Sequence, residues 1–235
     1  SIGLGQFAHS IRRGVNMSYI VENNGVYGLT KGQFSATSDK GSKSKKGVEN
    51  TESGIDLVAL ALQLGATYVG RSFSGDKDQL VPLIKGALSH HGPAFLDVIS
   101  PCVAFNNHAG STKSFDYVRE HNEAVNRLDV ILGRTPITTE YKAGELREVT
   151  QHDGSVLRLR KLSEDYDPTN RIAAANYLQE RHAEGEIVTG LLYVDPDATD
   201  LHDRLGTTAT PLNQLGGAAL TPGAAALAKI NAGLR

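Results

Sequence analysis

The chain has 235 residues, 40% of them hydrophobic and 21% charged, with a formal net charge of −2. These values predict one large domain, or one domain with an extension, that can bury a core. They give no reason to expect a nucleic-acid or membrane partner. No apolar run is long enough to span a bilayer, no signal segment opens the chain, and the single cysteine excludes an internal disulfide. We therefore expect a cytoplasmic protein.

The first hundred residues alternate predicted helices with predicted strands. Apolar residues recur at helical spacing in three segments, and glycines follow the first two as stop signals. Ser53 is a candidate cap for the second helix. The predicted order is helix 3–14, strand 15–22, helix 54–65, strand 67–73, helix 76–92 and strand 94–100. This rhythm predicts an α/β fold with a doubly wound, mostly parallel sheet, whose ligands lie beyond the carboxyl ends of the strands.

The order of elements changes after about residue 129. A hairpin is predicted at 145–162, turning at Asp153-Gly154, followed by a helix at 170–185, a strand at 186–196 and a terminal helix at 220–235. We therefore divide the chain into a domain at 1–130 and a C-terminal α+β extension at 131–235.

One segment, 34–53, is rich in serine, lysine and glycine. Such a composition is typical of a solvated, mobile surface loop. A loop of this length within a compact domain is often functional, however. An active-site lid and a plain surface loop both remain open.

Two asparagines, Asn23 and Asn24, follow the first predicted strand and precede a glycine. An amide oxygen is a neutral, hard ligand that suits Mg²⁺, and glycines let backbone N–H groups approach a phosphate. Asn-Asn-Gly is also ordinary turn chemistry. These residues alone favour a turn over a metal site.

The stretches "NNGVYGLTKGQ" at 23–33, "SATS" at 35–38 and "SPCVAFN" at 100–106 resemble the β subunit of 2-oxoacid:ferredoxin oxidoreductases. The resemblance covers roughly residues 1–130, and the tail looks like the extension of bacterial 2-oxoglutarate-type members. It implies the fold of thiamine-diphosphate enzymes. It also implies oxidative decarboxylation of a 2-oxoacid with coenzyme A to acyl-CoA and CO₂, an α-subunit partner, and ferredoxin as the electron acceptor.

The resemblance also assigns site residues. Asn24 would give its side-chain oxygen, and Val26 its backbone carbonyl, to Mg²⁺. The residues that would bind thiamine diphosphate are Asn24, Val26, Tyr27, Gly28, Leu29 and Thr30. The chain opens at Ser1 in a helix-like run, so we expect it to be the C-terminal part of a longer protein, with the family's Gly-Asp-Gly a few residues upstream. No general base is assigned, because the activating carboxylate is expected from the α subunit.

Cys102 is the lone cysteine. A lone cysteine is ordinarily a small buried hydrophobe. The resemblance makes Cys102 the fourth ligand of a 4Fe–4S cluster, whose other three cysteines would lie near the N-terminus of the complete subunit.

Leu29 and Lys31 stand where pyruvate-type relatives tend to carry Asn and Gly. A cation at Lys31 suits the second carboxylate of 2-oxoglutarate. Lys31 as a solvated or subunit-facing side chain, and Leu29 as a packing residue against the cofactor, remain open.

Two rival functions also remain open. One is another thiamine-diphosphate enzyme, such as a pyruvate-type oxidoreductase or a carboligase. The other is a non-catalytic assembly subunit in which the Asn-Asn-Gly loop is merely structural.

Overall fold

In the computed structural model the described residues are 2–27, 33–38, 40, 49–100, 137–150, 156–221 and 223–234. The predictions for Gly28, Leu29, Thr30, Lys31 and Cys102 therefore lie outside the described residues, as does the predicted turn at Asp153-Gly154. The chain divides into two compact units, residues 1–201 and 202–235.

The first unit contains a six-stranded sheet and a two-stranded ribbon. The sheet has the order β1-β5-β4-β8-β7-β6, and β2 pairs with β3. Their bounds are β1 (Met17–Asn23), β2 (Val26–Tyr27), β3 (Gln33–Phe34), β4 (Tyr68–Phe73), β5 (Pro93–Ile99), β6 (Leu146–Thr150), β7 (Val156–Lys161) and β8 (Ile187–Val194).

The sheet is mixed, with parallel pairs in the majority among the described strands. Parallel ladders join β1 to β5, β5 to β4, and β7 to β8. Antiparallel ladders join β4 to β8 and β6 to β7, so the predicted hairpin is present. The predicted fold class is confirmed. The strands of the tail extend the same sheet as the N-terminal strands, and the boundary proposed near residue 130 stays a prediction outside the described residues.

Four helices of the first unit follow the predicted pattern: α1 (Leu4–Arg13), α2 (Leu57–Leu64), α3 (Lys77–Ser89) and α4 (Arg171–Ala183). Gly14 and Gly65 end α1 and α2 in the left-handed region, with φ of 68° and 93°. The prediction of Ser53 as a cap was wrong. Asp56 caps α2, because its side chain accepts hydrogen bonds from the N–H groups of Val58 and Ala59.

Helices cover both faces of the sheet, as a doubly wound fold requires. Buried residues of α1, α2 and α4 share one core with Val69, Phe95 and Val188 of the sheet. On the other side, Leu83 and Ala87 of α3 form a second core with Tyr68, Ala94 and Leu96. Successive strand residues point to opposite faces, which explains why Phe95 and Leu96 belong to different cores.

The second unit has short helices and no buried residue among those described. The structure forms α5 (Leu201–Leu205), a 3-10 helix (Leu212–Gln214), α6 (Gly217–Leu220) and α7 (Ala224–Gly233), and α7 is the predicted terminal helix. Within the described ranges, no helix is both long and apolar enough to cross a membrane.

Candidate functional site

A cavity of about 260 Å³ lies at the carboxyl end of β1. Four parts of the first unit form its wall: the start of α1, the last residues of β1 with the turn that follows, the segment after β3, and the approach to α2. Its lining includes Gly3, Leu4, Phe7, Tyr19, Val21, Glu22, Asn23, Asn24, Val26, Tyr27, Ser35, Thr37, Ile55, Leu57 and Phe95. The cavity is therefore where a ligand is expected in a parallel sheet, beyond a strand end.

The inner wall of the cavity is aromatic. The Phe7 ring lies 5.0 Å from the Tyr19 ring and 5.1 Å from the Phe95 ring, centroid to centroid. Phe7 and Phe95 are also core residues. This wall is consequently fixed by the same packing that holds α1 on the sheet.

The N-terminus of α1 forms a second wall. Gly3 precedes the helix with φ of 88°, no side chain caps the helix, and its first turn carries no acidic residue. A Cβ atom added at Gly3 or Gly5 would meet no atom within 4 Å. The unpaired N–H groups and the dipole of a helix N-terminus attract anions, so this open end can receive a phosphate group.

A tight turn at residues 23–25, here named the Asn turn, forms the rim. Gly25 has φ of 69°, which a glycine tolerates best. The Asn24 Oδ1 atom accepts a hydrogen bond of 3.1 Å from the Val26 N–H. Asn24 thus performs the turn role that its residue type favours, and the second lone pair of its oxygen remains for a ligand.

The two asparagines of the turn differ in their surroundings. Asn24 is exposed, whereas Asn23 is half-buried. The Asn23 Oδ1 atom accepts a 2.7 Å hydrogen bond from the Thr37 hydroxyl, and the Ser35 and Thr37 hydroxyl oxygens are 2.8 Å apart. Each asparagine oxygen thus accepts one hydrogen bond from the protein, and Asn24 is the exposed member of the pair.

The segment Ser35–Ser38, here named the clamp, holds the Asn turn from outside. The carbonyl of Gly25 accepts a 3.0 Å hydrogen bond from the Ser35 N–H, and the Ser38 hydroxyl donates to the same carbonyl. Asn50 in turn donates to the Ser38 carbonyl at 3.2 Å. Ser38 and Asn50 are both buried, so these two residues of the 34–53 segment are packed beside the Asn turn.

An ionic triad of Asp56, Arg71 and Asp97, of which Arg71 and Asp97 are buried, lies on the same face of the sheet as the cavity. Arg71 Nε donates to Asp97 Oδ2 at 2.8 Å, and Arg71 Nη2 donates to Asp56 Oδ1 at 2.5 Å. Val21 pairs with Asp97, and Asn23 pairs with Ile99, in the β1–β5 ladder. The Arg71–Asp97 pair is therefore one sheet row below the Asn turn.

The positive charge of Arg71 and the negative charges of Asp56 and Asp97 stabilise each other. The Asp97 side chain is 1% exposed. Burial raises the pKa of the Asp56 carboxyl, but the Arg71 charge and the hydrogen bonds that Asp56 accepts outweigh this and hold its pKa below the ordinary value. Because Asp56 also caps α2, the triad ties the start of that helix to β4 and β5.

The end of β5 also reaches the Asn turn. The Ser100 N–H donates to the Asn23 carbonyl at 2.9 Å. The chain that leads on to Cys102 therefore leaves the sheet beside this turn, although Cys102 itself is outside the described residues.

Of the predicted site residues, Asn24, Val26 and Tyr27 are brought together at the cavity rim. Sequence reasoning missed the α1 N-terminus, the clamp and the ionic triad. The clamp is the "SATS" stretch, which drew attention in the sequence only through the family resemblance. No local signal marks the triad, because its members are far apart in sequence.

Comparison with protein-family models gives the class. A model described as "Thiamine pyrophosphate enzyme, C-terminal TPP binding domain" matches residues 1–98. A second model, which describes the C-terminal part of the pyruvate ferredoxin oxidoreductase β subunit, matches residues 157–210. Together with a doubly wound sheet whose cavity meets a helix N-terminus, these matches define a domain of the thiamine pyrophosphate enzyme class.

Curated relatives narrow this class. A "2-oxoacid:ferredoxin oxidoreductase subunit beta" of Saccharolobus solfataricus is 45% identical over 107 residues, which are 45% of this chain and 35% of the relative. The "2-oxoglutarate oxidoreductase subunit KorB" of Mycobacterium tuberculosis is 36% identical over 121 residues, 51% of this chain and 31% of the relative. The chain thus spans about a third of the length of these relatives.

A solved structure extends the similarity along the chain. It is a 2-oxoglutarate:ferredoxin oxidoreductase from Magnetococcus marinus with 2-oxoglutarate, coenzyme A and succinyl-CoA bound. The match has a TM-score of 0.59 and 27% identity, and covers 94% of this chain and 64% of that chain. The chain is thus similar to 2-oxoacid:ferredoxin oxidoreductase β subunits over about half of its length, and to this solved structure over most of it.

Proposed function

We propose that this chain is the part of a β subunit that binds thiamine diphosphate and Mg²⁺ in a 2-oxoacid:ferredoxin oxidoreductase. The observation that carries the proposal is the single cavity that joins the uncapped N-terminus of α1 to the Asn turn. One wall suits a diphosphate, and the other suits the metal that accompanies it.

The described lining determines how the charge of such a group would be compensated. It contains no Lys or Arg, and Glu22 is its only carboxylate. A bound diphosphate would therefore depend on backbone N–H groups, on the helix dipole and on a divalent cation for charge compensation. Asn24 would ligate Mg²⁺ through its side-chain oxygen and Val26 through its carbonyl.

The remaining contacts are carried over from the family resemblance. Tyr27, Gly28, Leu29 and Thr30 would line the cofactor, and Leu29 and Lys31 would face the substrate. When bound, thiamine diphosphate supplies the nucleophilic carbon and the electron sink that decarboxylation of a 2-oxoacid requires. The aromatic wall of Phe7, Tyr19 and Phe95 would exclude water from the inner side of the cavity.

We propose Cys102 as one thiolate ligand of a 4Fe–4S cluster in the complete enzyme, with ferredoxin as the acceptor of the electrons. The hydrogen bond between Ser100 and Asn23 supports this, because it anchors the start of the Cys102 segment next to the cofactor cavity. A short distance between the cofactor and the cluster would favour electron transfer from one to the other.

We propose 2-oxoglutarate as the 2-oxoacid, with coenzyme A as acyl acceptor and an α subunit as partner, in the cytoplasm. The names of the Mycobacterium and Magnetococcus proteins support this choice. The proposed position of Lys31 agrees with it, since a cation there suits a second carboxylate.

The test uses the complete enzyme with its α subunit. We expect ferredoxin reduction that depends on 2-oxoglutarate and coenzyme A, with a higher kcat/KM than for pyruvate. Asn24→Ala should abolish the binding of thiamine diphosphate with Mg²⁺ in calorimetry, while Asn213→Ala, at an exposed asparagine of the 3-10 helix, should not. A preference for pyruvate would refute the substrate, and unchanged cofactor binding in Asn24→Ala would refute the metal site.

A separate test addresses the cluster. Cys102→Ser in the complete enzyme should lower the iron content and the visible absorption. Full cluster loading in that variant would remove Cys102 from the ligand set.

A further inference from the structure

The hydroxyl side chains of the clamp all bond toward the Asn turn or toward one another. Thr37 donates to Asn23, Ser38 donates to the Gly25 carbonyl, and Ser35 lies 2.8 Å from the Thr37 hydroxyl. The Ser35 N–H reaches the same Gly25 carbonyl at 3.0 Å. Side-chain and backbone donors of the clamp thus reach both ends of the turn, Asn23 and Gly25.

The clamp is itself anchored on both sides. The Ala36 carbonyl accepts a 2.7 Å hydrogen bond from the Ile55 N–H, directly before the α2 cap. The Ser38 carbonyl accepts from buried Asn50. A Cβ atom at Gly54 would come within 2.9 Å of the Ser38 carbonyl oxygen, so the approach to α2 is packed tightly against the clamp. The clamp can therefore transmit the position of α2 to the turn.

This arrangement gives the two asparagines different tasks. The Thr37 hydroxyl donates a hydrogen bond to the Asn23 side-chain oxygen. Because Asn23 is then fixed, the peptide that carries Asn24 is fixed as well. The Asn24 side chain then needs only its hydrogen bond to Val26 to keep its orientation at the cavity rim. Without Thr37, the Asn23 side chain would lose its hydrogen bond from the clamp, and the peptide that carries Asn24 would be held less firmly.

We infer that Thr37 is a positioning residue, which holds the Asn23 side-chain oxygen in a hydrogen bond so that Asn24 and the Val26 carbonyl are presented to the metal and diphosphate. This inference rests on the proposed function for the nature of the ligand. The holding of the turn by Thr37 is a property of the protein alone and can be measured without any cofactor.

The central variant is Thr37→Val, which removes the hydroxyl but keeps the size and the β-branch. Thr37→Ser keeps the hydroxyl and serves as the rescue variant. Thr51→Val makes the same change at an exposed threonine in the 34–53 segment. All are made in the complete enzyme, where thermal unfolding should show that each variant is folded.

The first readout is hydrogen exchange in the cofactor-free enzyme. In Thr37→Val we expect the Val26 and Ser35 amides, which are hydrogen-bonded in the turn, to exchange about three- to tenfold faster, as the loss of one hydrogen bond predicts. Thr37→Ser and Thr51→Val should exchange at the wild-type rate. Unchanged protection in Thr37→Val would overturn the inference.

The second readout is the affinity for Mg²⁺ at saturating thiamine diphosphate. Thr37→Val should raise the apparent Kd for Mg²⁺ by about three- to tenfold, with kcat at saturating Mg²⁺ close to that of the wild type. A double-mutant cycle with Asn23→Ala should be strongly non-additive, because Thr37 acts through Asn23. Additive effects would overturn the route through Asn23.

The outcomes separate the two proposals. A wild-type enzyme that binds no thiamine diphosphate, but whose turn loosens in Thr37→Val, refutes the proposed function and supports the role of Thr37 in holding the turn. An enzyme that binds the cofactor with equal affinity in all variants supports the proposed function and overturns the positioning role.

Discussion

The Asn turn with its clamp and the ionic triad are two polar regions on one face of the sheet, built from opposite chemistries. The turn and clamp bond through neutral amides and hydroxyls around an exposed Asn24. The triad sets one buried cation against two carboxylates, of which Asp97 is 1% exposed. The turn and clamp border the cavity, and the Arg71–Asp97 pair lies one sheet row from Asn23.

The difference shows that the triad keeps this part of the fold rigid, whereas the turn and clamp can adjust at the cavity. A buried charge is costly unless it is paired, so the triad permits little movement of β4, β5 and the start of α2. Neutral hydrogen bonds each contribute little net free energy, so the turn can adjust when a metal or phosphate arrives. The charged region fixes the frame, and the neutral region forms the rim of the cavity.

The largest effect is expected from removal of the central cation of the triad. Arg71→Met leaves Asp97 buried without a partner and should lower the free energy of unfolding by about 3–5 kcal/mol. Urea denaturation of the complete subunit measures this. Arg147→Met, at an exposed position of β6, should change it by less than about 0.5 kcal/mol. A loss below about 1 kcal/mol in Arg71→Met would mean that the triad does not fix the frame.

A smaller effect is expected from the half-buried end of the triad, Asp56. The folded-state pKa of Asp56 is below its ordinary value of 3.8. Its contribution to stability is therefore present above that value and is lost as the pH falls through the folded-state pKa. Asp56→Asn keeps a good helix cap but loses the ion pair, so it should destabilise by about 1.5–3 kcal/mol at neutral pH.

The acid limb of the stability curve checks this assignment. Stability of Asp56→Asn, measured by urea denaturation between neutral and strongly acidic pH, should decline less steeply below pH 3.8 than that of the wild type. Parallel acid limbs for the two proteins would indicate that Arg71 does not stabilise the charged form of Asp56.

The smallest effect is expected in the clamp. Ser38→Ala removes the hydroxyl donor to the Gly25 carbonyl, but that carbonyl keeps its hydrogen bond from the Ser35 N–H. We expect a loss of about 0.5–1.5 kcal/mol in urea denaturation. The exposed Ser53 provides the matched control, since Ser53→Ala should be nearly neutral. A loss as large as that of Arg71→Met would erase the distinction between the two regions.

Much of the secondary structure could be predicted, because local periodicity marks it. The apolar spacing of 3–14 predicted α1, and the apolar run of 94–100 predicted β5, with bounds that differ from the structure by a few residues. The cap of α2 was predicted at Ser53 and was wrong. The Ile55 N–H bonds to the Ala36 carbonyl and Asp56 is itself extended, so α2 begins only at Leu57.

The site was only partly predictable. Asn24, Val26 and Tyr27 were found through a short motif, because they are adjacent in the chain. Thr37 and Asn23 are 14 residues apart, and Arg71 and Asp97 are 26 apart. No periodic pattern connects such pairs, since a contact at that separation depends on how strands are ordered in the sheet.

By itself the sequence determined the α/β class, most of its helices and strands, and the family to which its motifs belong. These follow from local periodicity and from residues that stand next to one another. Only the tertiary structure decided that β8 lies antiparallel beside β4, that Asn23 is bonded to Thr37 while Asn24 stays exposed, and that Arg71 joins two carboxylates. The physical reason is that strand order and side-chain pairing depend on packing between segments distant in the chain, which local residue preferences do not specify.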